Sequence, residues 1–77
     1  MKVKTSSTPR TYWNHAHDFV SIVPPETFGL VVTSWNLENK FRIGGRAFNI
    51  GEKILLVDFN GIRDLLIVPE KDVEILG

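Results

Sequence analysis

Two histidines, two tryptophans and a short set of cations carry the chemistry open to this chain. His15 and His17 alternate in WNHAHD, so in an extended segment they share a side with Trp13 and Phe19, and Asp18 follows directly. Imidazole beside carboxylate can ligate a metal or move a proton near neutral pH. With no cysteine and only these two histidines, the usual zinc frameworks are ruled out and a nucleophile–base pair is hard to assemble. The G-x-S-x-G, P-loop, dinucleotide and H-E-x-x-H patterns are absent as well. The residues therefore point away from an enzyme, and they call for no cofactor or metal.

Contact chemistry is better represented. Trp35, Lys40, Arg42 and Arg46, with Phe41 among them, are the candidates for nucleic acid, because an aromatic ring beside cations grips a single strand by stacking and charge. Each also has a plainer use. Phe41 has a core partner in Phe48, Trp35 can cap one end of the fold, and the arginines can pair with acidic stretches. Tyr12, Trp13, His15 and His17 form the candidate protein interface, since aromatic anchors dominate interface energy.

Nine basic and nine acidic residues cancel, but they come in blocks. Residues 1–17 and 40–53 each carry a net +3, and residues 18–39 and 54–77 each a net −3. A neutral domain lacks the broad positive field that collects phosphate, which favours a protein partner or self-association over nucleic acid. The blocks can neutralise one another within the fold or across subunits.

These side chains must be positioned by one small domain. Seventy-seven residues bury only roughly 60–65% of their unfolded surface, and without disulfides the remaining aid to stability is oligomerisation. No run has the apolar core of a signal peptide or the length of a membrane span, so the expectation is a cytoplasmic protein, or one within a virion if viral.

KILLVDFNGIRDLLIV, Lys53 to Val68, reads as a β-hairpin with a type I′ turn at Asn60-Gly61. A two-residue turn sets Asp58 against Arg63, Val57 against Asp64 and Leu55 against Leu66. Upstream, residues 1–17 read as a polar N-terminal arm that takes its order from another surface, and 18–77 as the domain proper. Asp18 to Val23 and Gly29 to Trp35 read as strands, the latter against a weaker helical alternative starting at Pro25. Lys40 to Ile43 and Arg46 to Ile50 read as a second hairpin about Gly44-Gly45. After Pro69, Glu70 to Glu74 suits a single 3₁₀ or helical turn before Ile75 and Leu76 close the core. The count is five or six short antiparallel strands, an all-β small barrel with an extended N-terminal arm.

Two resemblances accompany that count. KFRIGGRAFNIGEKILL, Lys40 to Leu56, resembles the core of the ASCH family of PUA-like domains, with His17-Asp18 and Pro25 to Phe28 placed like that family's upstream elements. The family's Gly-Lys-[TS] stretch is absent and Gly44-Gly45 stands where it has polar residues. This resemblance implies RNA or nucleotide recognition. Ile54 to Leu76, with its L-V-x-F strand and E-x-D-V-E-I-L end, is similar to SH3-like barrels among small accessory subunits, which implies a structural role in a larger assembly. The reading is a non-catalytic protein-interaction module, a structural or accessory subunit. The alternative is a nucleic-acid-binding small barrel.

Overall fold

The computed structural model describes residues 1–43 and 46–77. Among them nine strands form in order: β1 (Lys2–Thr5), β2 (Arg10–Trp13), β3 (Val20–Val23), β4 (Phe28–Asn36), β5 (Phe41–Ile43), β6 (Arg46–Phe48), β7 (Lys53–Phe59), β8 (Leu66–Pro69) and β9 (Val73–Ile75). A 3₁₀ turn at Glu70–Asp72 joins the last two. No helix among the described residues is long and apolar enough to cross a membrane.

Five strands make one antiparallel sheet in the order β8-β7-β4-β1-β9, and β2-β3 and β5-β6 are separate two-stranded ribbons. The sheet is not closed on itself. The fold is all-β as the strand count suggests, without closure into a barrel among the described residues, and Tyr12 and Val23 of the β2-β3 ribbon join Val3, Leu55, Val57, Phe59, Leu66 and Val68 of the sheet in one buried cluster. The molecule exposes 4679 Å², close to the roughly 4,700 Å² typical of a monomer of this mass. Its packing is thus complete for its size, and exposed apolar residues are a property of its surface.

The central hairpin forms with a different turn. Gly61 takes φ 78°, Asn60 stays out of the left-handed region, and the Ile62 amide donates to the Phe59 carbonyl at 3.1 Å, the pattern of a type II turn. The chain then runs through Arg63 to Leu65 before β8 begins, so Leu55 pairs with Val68 and Val57 with Leu66. The physical reason lies in Asp64. A two-residue turn would set this carboxylate beside the fully buried Val57, whereas the longer connection puts Leu66 there. Because the shift is by two residues, each side chain keeps its face. Asp58 and Arg63 are no longer opposite each other, and the ion pairs among the described residues are Lys53–Glu70 and Lys71–Glu52. Glu52 also accepts from the Asn49 amide at 2.6 Å. Lys71 first, and that amide second, hold its carboxyl below the usual range.

Residues 1–17 do not form a separate arm. Lys2-Val3-Lys4-Thr5 alternates as a half-buried strand should, and β1 is inserted between β4 and β9 with Val3 in the core. Thr5 is buried too, donating to the Pro24 carbonyl at 3.0 Å and accepting from the Thr27 amide at 2.8 Å. The polar run Ser6 to Pro9 is a connection between strands, and its composition hides the short strand before it.

Phe28 to Asn36 is a strand, as the Val-Val-Thr run favours, with a bulge between Val31 and Thr33. Phe41 pairs with Phe48 along the β5-β6 ladder, while Gly44-Gly45 lies outside the described residues. Ile75 and Leu76 do not close the core. β9 is an edge strand, and both side chains are exposed.

Gly29 shows how closely β4 and β7 pack. A Cβ there would lie 2.6 Å from Val57 Cγ1, 2.8 Å from Phe59 Cδ1 and 3.2 Å from the Asp58 carbonyl oxygen. Gly29→Ala should therefore destabilise the fold by about 1–3 kcal/mol through overpacking. A urea midpoint equal to wild type would show that Val57 and Phe59 yield freely.

Candidate interaction surface

The core face of the sheet is set by Val3 on β1, Gly29 on β4 and Val57 and Phe59 on β7, so their neighbours in sequence emerge on the opposite face. These are Lys2 and Lys4, Phe28 and Leu30, and Asp58. The register aligns them, with Lys2 opposite Leu30 and Leu30 opposite Asp58 in one row, and Lys4 opposite Phe28 and Glu74 in the next. Phe28 is 50% exposed, Leu30 54%, and Val32 at the bulge 56%. Lys4 Nζ stands 5.9 Å from the Phe28 ring centroid, a cation–π contact on one rim of this strip. Lys2, Phe28, Leu30 and Asn60 line a shallow depression of about 390 Å³.

The residues singled out from sequence are dispersed. Tyr12 is buried, and its hydroxyl donates to Asp72 Oδ2 at 2.7 Å, so it is a structural side chain and no surface anchor. Trp13 is half-buried on the next position of β2 and stacks obliquely with His17, ring centroids 6.2 Å apart. His15 and His17 are exposed on the β2-β3 connection.

That connection is built on Asn14. Its buried side-chain carbonyl accepts from the amides of Asp18 and Phe19, and its Nδ2 donates to Asp18 Oδ1 at 2.6 Å. The turn places His17 in the left-handed region at φ 59°. Asp18 is thereby engaged in the turn. No group of three or more potential metal ligands occurs among the described residues.

A second open depression, of about 500 Å³, brings His17 together with Trp35, Glu38 and Lys40. It unites one predicted interface residue with two of the nucleic-acid candidates, and Glu38 adds an acid to the same wall. Arg42 is exposed on β5, and Arg46 belongs to β6.

Known families, curated proteins and solved structures yield no match to this chain.

The apolar strip on β4 is the feature that residue types alone did not single out. Its signal is present in FGLVV, where Phe28 and Leu30 alternate with Gly29 and Val31, so that a strand buried on one side must display apolar groups on the other. The lysines of KVKT mark the same face, but only the β1-β4 register shows that they flank it.

Proposed function

We propose that this chain is a non-catalytic protein-interaction module, a structural or accessory subunit that acts through the exposed apolar strip on β4 of its five-stranded sheet. The supporting observation is the alignment of exposed Phe28, Leu30 and Val32 along one strand, with Lys2 and Asp58 flanking Leu30 in register. Covering the parts still open to water would contribute on the order of 2–4 kcal/mol, to which the surrounding rim adds. Clustered apolar groups rimmed by charge are the usual mark of a contact surface.

A second reading, a nucleic-acid-binding module of SH3-like or PUA-like affinity, is favoured by one observation, the shared depression of His17, Trp35 and Lys40. Stacking on Trp35 with Lys40 on a phosphate is the chemistry it would use. The acidic Glu38 in the same wall and the zero net charge weigh against it.

Sedimentation and retention on a phosphate-bearing resin separate the two. The contact reading expects an assembly that Leu30→Asp dissociates, with a shift to slower sedimentation at unchanged circular dichroism and with no salt-sensitive retention. A monomer retained in a salt-dependent way, and released by Lys40→Ala, would replace it with the nucleic-acid reading.

A further inference from the structure

We propose that the occupant of the β4 face is a second copy of this chain, related by a two-fold axis running parallel to β4. The inference rests on the contact reading above and names its partner. The argument comes from the charge arrangement across the strip. β4 lies between β1 and β7, and the register places Lys2, Leu30 and Asp58 in one row, with the cation on one flank and the anion on the other. All three are exposed.

Two copies laid face to face can be related by an axis across the strands or along them. An axis across the strands sets β1 over β1, so the lysines of one copy meet the lysines of the other and Asp58 meets Asp58. An axis along β4 sets β1 over β7. Lys2 then meets Asp58 of the second copy, and symmetry makes the same pair twice, while Phe28 and Leu30 of both copies converge at the centre. Like charges brought together in an interface oppose association and opposite charges set its register, so the flanking charges choose the second arrangement. Sheets packed in this way keep their strands nearly aligned, as sandwiches do. A domain of 77 residues with no cysteine also gains most from such pairing.

The test uses two single charge reversals in the full chain, Lys2→Glu and Asp58→Lys, both at exposed positions. Each variant alone carries two repulsive pairs in its homodimer, Glu against Asp58 or Lys2 against Lys. Each should dimerise at least about tenfold more weakly than wild type. An equimolar mixture restores both pairs in the heterodimer, so native mass spectrometry with one variant isotope-labelled should show a heterodimer of near wild-type affinity. If wild type dimerises and Leu30→Asp dissociates it, but the mixture gains nothing over the single variants, the axis is wrong and the contact reading survives. Single reversals that leave wild-type dimerisation unchanged overturn the proposal in the same way. A wild type that stays monomeric at all concentrations overturns the second copy as occupant. Salt-sensitive retention of that monomer on the phosphate resin would overturn the contact reading too.

Discussion

A chain lacking residues 1–17 should not fold. β1 lies between β4 and β9, so its removal strips one side of β4 and leaves β9 without its sheet partner. Val3 and Tyr12 leave the buried cluster, β3 loses the strand it pairs with, and Asp72 loses the Tyr12 hydroxyl. Two fully buried side chains alone account for about 3–6 kcal/mol, and a domain of this length has a total stability of roughly 4–12 kcal/mol. The loss of the β1 ladders removes the rest. Far-ultraviolet circular dichroism of the truncated chain should show no cooperative urea transition. A wild-type transition would mean that the sheet does not need its inserted strand.

Leu66→Ala should produce the largest effect of any single side-chain truncation proposed for this fold. Leu66 is fully buried, faces Val57 across the β7-β8 ladder, and is bridged on its other side by Asn14. It is thus held between the main sheet and the β2-β3 ribbon, where neither neighbour can collapse into the space left behind without disturbing the other. The expected cost is about 2–5 kcal/mol. For a domain of this size that lowers the melting temperature by at least about 8 °C. A fall of only a degree or two would place Leu66 at the margin of the core.

How far the residues foretold this structure depends on which interactions decided each segment. Strands β3, β4 and β7 were legible because they are apolar runs bounded by Pro24-Pro25, Asn36 to Asn39 and Asn60-Gly61, all local signals. The β5-β6 pairing of Phe41 with Phe48 was legible for the same reason.

The turn after β7 was misjudged because Asn60-Gly61 serves type I′ and type II turns alike. The choice between them was made by Asp64, whose place is decided by the distant Val57. KVKT offers only four residues of alternation, too few to announce a strand, and its insertion between β4 and β9 is set by contacts far along the chain. The candidate surface was obscured in a similar way. Tyr12 looks like an anchor until Asp72 meets its hydroxyl, and the run FGLVV does not disclose which of its sides faces out until Gly29 takes the inward position.

The insertion of β1 also dictates when the sheet can assemble. Lys4 pairs with Glu74 and Thr5 with Val73, so β1 has to wait until β9 has been synthesised before its ladder is complete. At roughly 5–20 residues per second that interval lasts several seconds. Until β4 and β9 have emerged, Val3 has no cover and the amides of β1 have no partners. Contacts of such long sequence separation are slow to form, and during synthesis the nascent chain presents an unpaired strand edge to any neighbouring chain on the same message.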